Sequence, residues 1–214
     1  MIINIEGTDG CGKKTQTDLL FNYLLKKGYK VKKISFPNYD SESSVLVKMY
    51  LRGEFGDNDN LNGYQASMFY AVDRLATLKK ENIDGYDYVL FDRYVPSNMI
   101  HQSTRIKGQQ ELDNFLDWVI DLEFGKLKLP KPDVTIFLDV PVEISMRLAR
   151  GREALKNGQD KDILEKDEAH LINAYEKAKY IADKYCWLTI DCSQGENIKS
   201  IDEIHQDILT KLSL

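Results

Sequence analysis

A glycine-rich segment near the start of the chain has the residue types and spacing of a phosphate-binding loop. It follows a short apolar run at Ile2–Ile5 and precedes a stretch with helical periodicity. Its residues are Gly7, Thr8, Asp9, Gly10, Cys11, Gly12, Lys13, Lys14 and Thr15. Glycines let the backbone wrap around an anion, N–H groups at a helix start then point at it, and Lys13 reaches its terminal phosphates. The segment therefore predicts a site for a polyphosphate such as ATP.

One residue of this loop departs from the usual pattern. The position after Lys13 normally supplies a hydroxyl to Mg²⁺, but here it is Lys14, whose ammonium is a donor only. Thr15 lies about 100° further around the helix, so we expect it to face elsewhere. Mg²⁺ would then depend on Asp9, on nucleotide oxygens and on water. Lys14 has two interpretations, a solvated lysine at the helix start or an additional anion contact.

An acid and a guanidinium follow a later apolar run, at Asp92 and Arg93. A carboxylate at a strand end can hold Mg²⁺ through water, and an arginine can bind phosphate with two parallel hydrogen bonds. The alternative is an ion pair at a helix cap. Next to a phosphate-binding loop, the pair favours phosphoryl transfer.

The elements that must position these residues alternate between strand and helix patterns. Apolar runs predict five strands, at Ile2–Ile5, Val31–Phe36, Tyr88–Phe91, Val134–Leu138 and Trp187–Ile190. Helical periodicity occupies 14–27, 43–52, 64–82, 97–125 with breaks, 142–150, 165–185 and 198–212. This order predicts one domain, 1–214, with a three-layer α/β fold and a five-stranded parallel sheet flanked by helices. The phosphate-binding loop after the first strand makes this fold one of the P-loop NTPase type. Ligands of such sheets bind beyond the carboxyl ends of the strands.

Composition narrows the functional classes. Hydrophobic residues make up 43% of the 214 residues and charged residues 29%, and no run approaches the roughly 18 apolar residues of a membrane span. The net charge of -5 argues against a broad nucleic-acid surface. No export signal precedes the first apolar run. Cys11, Cys186 and Cys192 lack the spacing of a zinc site or a disulfide framework, so we expect a cytoplasmic protein.

Five motifs together resemble the thymidylate kinases in content and order. They are Glu6–Lys13, Phe36-Pro37, Asp73-Arg74, Asp92–Asn98 and Phe137–Pro141. The first is shared by many NTPases, whereas the other four in this order are more specific, and the match runs from end to end. The resemblance implies transfer of the γ-phosphoryl group of ATP to dTMP, Mg²⁺ as cofactor, and a homodimer formed through helices with surplus apolar faces.

The resemblance also implies which residues bind the base of dTMP. Phe36 and Pro37 would border the thymine, and Tyr70 would stack on it. Arg74 would donate to a base oxygen, and Asn98 would read the polar edge. For Phe36 and Tyr70, packing in the core is the alternative.

Further residues are implied for the sugar and phosphate of dTMP. Arg93 would hold the phosphate, Asp9 would meet the 3′-hydroxyl near the metal, Tyr39 would close over the sugar, and Ser97 precedes the base-reading residue. Bacterial members often carry a tyrosine that blocks a ribose 2′-hydroxyl, where this chain has His101 followed by Gln102. The histidine either fills that space or relaxes sugar selection.

A basic segment of about 147–165 corresponds to the family's mobile LID. Of its arginines, Arg152 is the expected catalytic residue, and Arg147 would lie against adenine. Glu165 would help to hold the metal, together with Asp9 and Asp92. The surface segments 52–62 and 151–162 are both expected to be mobile.

Two alternatives to a dTMP kinase stay open on the sequence. One is a kinase for another pyrimidine nucleotide or for a deoxynucleoside. The other is a P-loop switch that binds nucleotide without an acceptor, although the Asn-Lys-x-Asp motif of switch GTPases is absent from the sequence.

Overall fold

A five-stranded parallel sheet forms the centre of the molecule. The computed structural model of the chain describes residues 1–56, 60–153 and 168–214. Its strands are β1 Ile2–Glu6, β2 Val31–Ser35, β3 Tyr88–Asp92, β4 Val134–Asp139 and β5 Leu188–Asp191, in the spatial order β2-β3-β1-β4-β5. All five predicted strands are confirmed, with ends that differ by at most one residue. The order places β3 beside β1, so the turns that follow these two strands are neighbours.

Helices cover the sheet on both faces. They are α1 Lys13–Lys26, α2 Val45–Leu51, α3 Gly63–Lys80, α4 Val95–Ser103, α5 Gln109–Ile120, α6 Val142–Glu153, α7 Glu168–Lys184 and α8 Ile201–Leu212. A 3₁₀ turn at Glu42–Ser44 leads into α2, and α5 continues directly into a π-helix at Asp121–Lys126. The antiparallel pair β6 Ser193–Gln194 and β7 Asn197–Ile198 was not expected from the sequence.

The sheet separates two hydrophobic layers, as strands buried on both faces require. Alternate residues of β3 show this, because Val89 and Phe91 belong to one layer and Leu90 to the other. Each fully buried side chain of this kind contributes about 1.5–3 kcal/mol through removal of apolar surface from water. The three-layer prediction is confirmed. No helix in the described ranges is long and apolar enough to cross a bilayer.

Helix starts differ in how they are capped. Asn62 with Gln65 at α3, and Ser200 with Glu203 at α8, form reciprocal capping boxes. At α1 the cap position is Gly12, which has no side chain, in a left-handed conformation with φ 91°. The N–H groups at the start of α1 are therefore left for an external anion.

Candidate active site

The loop between β1 and α1 depends on glycine for its path. At Gly7, φ is 155°, and an added Cβ would lie 2.5 Å from the Cys11 Sγ and 3.0 Å from the Leu138 carbonyl oxygen. Any other residue would clash with the neighbouring strand end. The loop is thus held close to the sheet, with its backbone available to an anion.

Lys13 is held inside this loop. The side chain is buried, and its Nζ donates to the carbonyl oxygens of Gly7 at 2.8 Å and Thr8 at 2.7 Å. The same ammonium lies 4.0 Å from Asp9 Oδ1. A phosphate oxygen can replace these carbonyl contacts, which makes Lys13 the loop's charge for a terminal phosphate.

Lys14 and Thr15 both point away from the loop interior. Lys14 is exposed, and its Nζ donates to Asp18 Oδ2 at 2.7 Å. The hydrogen bond to Asp18 and its negative charge raise the pKa of Lys14. Thr15 is exposed, as expected from its rotation around the helix.

The carboxylates of Asp9 and Asp92 are the described candidates for holding a metal ion at the loop. In the ranges 1–56, 60–153 and 168–214, no three His, Cys, Asp or Glu residues form a cluster that could hold a metal ion. Of the predicted metal residues, Asp9 and Asp92 are described, and Glu165 lies outside the described residues. The donor set suits a Mg²⁺ that is bound mainly by nucleotide oxygens and water.

Asp9 and Arg93 join the loop to the turn after β3. Arg93 Nη2 donates to Asp9 Oδ1 in a short ion pair. Burial would raise the pKa of the Asp9 carboxyl, but Arg93, with His101 and Lys13, lowers it well below its usual range. Burial would lower the pKa of Arg93, but Asp9 and Glu6 raise it, so the guanidinium stays charged. Arg93 has φ 61°, a strained backbone conformation of the kind found at functional sites.

His101 is the second partner of Arg93. Its Nε2 lies 3.1 Å from Arg93 Nη1, and because a guanidinium is only a donor, Nε2 must accept. Burial, opposed by Asp9, lowers the pKa of His101 to about 3. The imidazole is therefore neutral and carries its proton on Nδ1.

Glu6 fixes the turn that carries Arg93. This fully buried carboxylate, at the end of β1, accepts from the Tyr94 N–H at 3.0 Å and from Ser97 Oγ at 2.9 and 3.0 Å. Burial raises the pKa of Glu6 in spite of the nearby Arg93. The contacts tie the phosphate-loop strand to the start of α4.

Every residue predicted to bind dTMP lines one cavity of about 280 Å³. Its lining is Asp9, Phe36, Pro37, Tyr39, Tyr70, Arg74, Arg93, Ser97, Asn98, His101 and Gln102, with the addition of Leu51 and Tyr94. Tyr94 stands within the Asp92–Asn98 motif, so its place in the sequence could have suggested it. Leu51 carried no signal, since it is one apolar residue of a short helix. Binding of dTMP by this set stays a prediction.

The lining of the cavity combines aromatic rings with buried polar side chains. Phe36 packs against Phe91 and Tyr94 and also lines the cavity, so core packing and ligand contact are not exclusive. Asp73 accepts from the Asn38 N–H at 2.9 Å and thereby fixes the loop after Phe36. Arg74, adjacent on α3, is buried and paired with Glu123.

Glu123 is the polar residue that sequence reasoning missed. Its two oxygens accept from Arg74 Nε and Nη2, each at 2.6 Å, and Oε1 also accepts from Asn98 Nδ2 at 2.9 Å. The side chain is fully buried. In the sequence, Glu123 is one of two acids that alternate with apolar residues, and nothing there distinguishes it as a buried residue.

The predicted LID residues are only partly described. Arg147 on α6 donates from Nη2 to the Glu196 carbonyl oxygen at 2.8 Å and is exposed. Arg150 and Arg152 belong to the same helix, but their side chains lie outside what the structure describes. The expected mobile segments 52–62 and 151–162, and the LID of 147–165, also extend outside the described residues.

Comparison with known proteins gives one consistent result. The sequence model of the family "Thymidylate kinase" matches residues 5–208. A thymidylate kinase of Mycobacterium tuberculosis (strain CDC 1551 / Oshkosh) is 34% identical over 170 residues, 78% of each chain. A probable thymidylate kinase of Thermococcus gammatolerans is 31% identical over 222 residues, 98% of this chain and 94% of the relative.

A solved structure gives the same result for the fold. The thymidylate kinase of Candida albicans superposes with a TM-score of 0.68 at 22% identity, over 99% of this chain and 90% of that chain.

Proposed function

The chain belongs to the thymidylate kinase family and phosphorylates dTMP to dTDP with ATP, and we propose that the loop of residues 7–15 binds the ATP and the 280 Å³ cavity binds the dTMP. The observation that carries this assignment is the position of Asp9. It belongs to the loop, lines the cavity, and pairs with Arg93. The donor and acceptor nucleotides would therefore meet where their phosphates must react.

Arg93 is proposed to bind the phosphate of dTMP. Its guanidinium is charged, is 30% exposed, and is oriented by Asp9 and His101. A phosphate would meet a donor group whose direction is already set, which reduces the ordering cost of binding. This arrangement supports a nucleotide acceptor rather than a deoxynucleoside.

The base is proposed to lie between Phe36 and Tyr70, with Arg74 and Asn98 at its polar edge. Asn98 Oδ1 is buried and has no hydrogen-bond partner in the described part of the chain. A buried acceptor without a partner costs about 1–3 kcal/mol, which a donor on the ligand would recover. The imide N–H of thymine is such a donor.

The sugar is proposed to lie near Asp9, Tyr39 and His101. Because His101 Nε2 is occupied by Arg93, the ring meets the sugar as a fixed, neutral group. Its size, smaller than that of tyrosine, supports a narrower preference for deoxyribose over ribose than a tyrosine would give.

Mg²⁺ is proposed to enter with ATP, held on the protein side by Asp9 and Asp92, with Glu165 as a third candidate. When bound, it neutralises charge on the β- and γ-phosphates. Lys13 would bind the same phosphates from the loop. Arg152 would reach them from the LID and stabilise charge on the transferred group, and Arg147 would lie against the adenine.

A homodimer and a cytoplasmic location are proposed as well. Apolar side chains on α2 and α3 are 40–47% exposed on two helices that pack together: Val45, Leu46, Met68 and Val72. An unpaired apolar face of this kind supports association with a second copy. All three cysteines are free thiols, as suits a reducing compartment.

The proposed function is tested by steady-state turnover of dTMP, dUMP, UMP, dCMP and thymidine with MgATP. We expect the highest kcat/KM for dTMP. Thymidine should be poorer by about 10²-fold or more, because it leaves Arg93 without its phosphate. Equal turnover of thymidine and dTMP would instead indicate a deoxynucleoside kinase.

A further inference from the structure

We propose that Glu123 sets the preference of the cavity for thymine over cytosine, by fixing the orientation of the Asn98 amide and of the Arg74 guanidinium. Glu123 is a positioning residue, since it is not among the residues that line the cavity. The inference rests on the proposed function, because it requires the nucleotide base to lie against Asn98 and Arg74.

The position of Glu123 follows from an irregularity in the fold. The helix that begins as α5 widens into a π-helix at Asp121–Lys126. Turns of π-helix are rare in proteins, and those that occur are often at functional sites. Glu123 is buried, whereas Asp121 on the same turn keeps 61% of its side chain exposed. The π-helix thus directs one carboxylate inward.

Glu123 holds Arg74 through two parallel hydrogen bonds. The Arg74 Nε and Nη2 atoms each lie 2.6 Å from a different oxygen of Glu123. This fork uses the Nε–H and one N–H of Nη2, so donor capacity remains on the second N–H of Nη2 and on Nη1, which also donates to the Tyr94 carbonyl oxygen at 3.4 Å. Arg74 therefore presents a donor, and only a donor, to the cavity that it lines.

The orientation of Asn98 is fixed by two acceptors. Its Nδ2 donates to Glu123 Oε1 at 2.9 Å and to the Ser67 carbonyl oxygen at 3.1 Å. A carbonyl can only accept, so the amide nitrogen must face these two groups. Consequently Oδ1 is the atom left over, and it is the buried acceptor that has no partner among the described residues.

The donor of Arg74 and the acceptor Oδ1 of Asn98 match the hydrogen-bonding groups of thymine but not those of cytosine. The thymine ring has an acceptor at O4 and a donor at N3–H. Cytosine has a donor amine at N4 and an acceptor at N3, so both contacts become repulsive. A site built from fixed polar groups discriminates strongly against a base with the reversed pattern, because its buried groups are left unpaired. Glu123 imposes the thymine pattern on both side chains at once.

Substitution of Glu123 by glutamine tests this role. Glutamine has one accepting oxygen where the carboxylate has two, so its amide N–H₂ must face either Arg74 Nε or the Nη2 and Nδ2 donors of Arg74 and Asn98, and the fork on Arg74 is broken in both cases. We expect the ratio of kcat/KM for dTMP over dCMP to fall by about 10- to 100-fold. The KM for ATP should stay unchanged. The matched control is Asp121→Asn on the same π-helix, which is expected to keep the wild-type ratio.

A second variant separates positioning from support of the fold. Glu123→Asp keeps the carboxylate, so it should retain more of the dTMP preference than Glu123→Gln, even if both variants lose thermal stability. Melting temperatures of the three proteins provide the comparison. If Glu123→Gln lowers kcat/KM for dTMP and dCMP in parallel and leaves their ratio intact, Glu123 has a structural role only and the inference is wrong.

Failure of the proposed function gives a different result. If the wild-type protein does not phosphorylate dTMP, or does not prefer it to dCMP, the proposed function itself is wrong. If the wild-type protein prefers dTMP to dCMP and Glu123→Gln keeps that preference, only the role proposed for Glu123 is wrong.

Discussion

Charged side chains at the junction of the loop and the cavity hold one another in place. Asp9 accepts from Arg93, Arg93 donates to His101, and Lys13 lies within 4.0 Å of Asp9. Each charge is therefore paired before any ligand arrives. An incoming phosphate needs only to exchange partners at Arg93 and Lys13, which favours a site that is organised in advance.

Lys13→Ala should abolish phosphoryl transfer and leave the fold intact. The ammonium contacts backbone oxygens of its own loop, so the fold should tolerate its loss. The phosphates would lose the positive charge that binds them, at a cost of about 3–5 kcal/mol of transition-state stabilisation. Steady-state kinetics and the melting temperature provide the measurement, with the exposed Lys26 at the end of α1, changed to alanine, as control. Wild-type turnover in Lys13→Ala would exclude the loop from the mechanism.

His101 makes the stability of the fold depend on pH. Its pKa is about 3 in the folded state against 6.5 for the ordinary side chain, so below pH 6.5 the unfolded chain binds a proton that the folded chain does not. The free energy of unfolding should fall as the pH is lowered, by up to about 1.4 kcal/mol per pH unit for this residue.

Comparison with His101→Gln isolates this contribution. Urea unfolding at about pH 7, 6 and 5 should give a shallower pH dependence for the variant than for the wild type. Parallel pH dependences of the two proteins would show that folding does not lower the pKa of His101.

Among the elements, those with regular patterns were predictable and those with local irregularities were not. The five strands were predictable from runs of apolar residues, because strands buried on both faces of a sheet are apolar at nearly every position. The loop at Gly7 was predictable because the residues that bind phosphate are adjacent in the sequence. The π-helix carrying Glu123 was not, because its inward turn depends on Arg74 and Asn98, which lie on other helices.

The helix α6 leads into the LID segment, where the catalytic arginine is expected. Arg152→Ala should lower kcat by about 10²–10³-fold and change the KM for dTMP much less, because the residue is proposed to act after closure. Initial rates over a matrix of ATP and dTMP concentrations measure both constants. Arg147→Ala is the comparison, with its effect expected in the KM for ATP. A change confined to KM in Arg152→Ala would move the catalytic role to Arg147 or Arg150.

Across the whole molecule, parallel topology brings the site together from distant parts of the sequence. The order β2-β3-β1-β4-β5 places the ends of β1, β2 and β3 side by side. Asp9, Phe36 and Arg93 follow these three strand ends and line the same cavity. The general location of the site could therefore be predicted from strand order, whereas the hydrogen bonds that orient its side chains required the structure.

Association through α2 and α3 is the prediction for the quaternary structure. Met68 is 40% exposed on α3, so Met68→Asp should disturb a partner surface more than the fold. Sedimentation equilibrium should give about twice the 24.7 kDa chain mass for the wild type and a shift toward the single chain for the variant. Leu25→Asp, at a site 45% exposed on α1, is the control that should remain dimeric. A monomeric wild type would contradict the prediction.

The most direct test of dTMP phosphorylation by this chain follows the γ-phosphoryl group of labelled ATP with and without dTMP. The label should appear in dTDP, with one ADP formed for each dTDP, and release of inorganic phosphate should be slow when dTMP is omitted. Release of the label as inorganic phosphate at one rate, whether or not dTMP is present, would contradict the assignment. It would indicate a nucleotide-binding protein that does not use the cavity as an acceptor site.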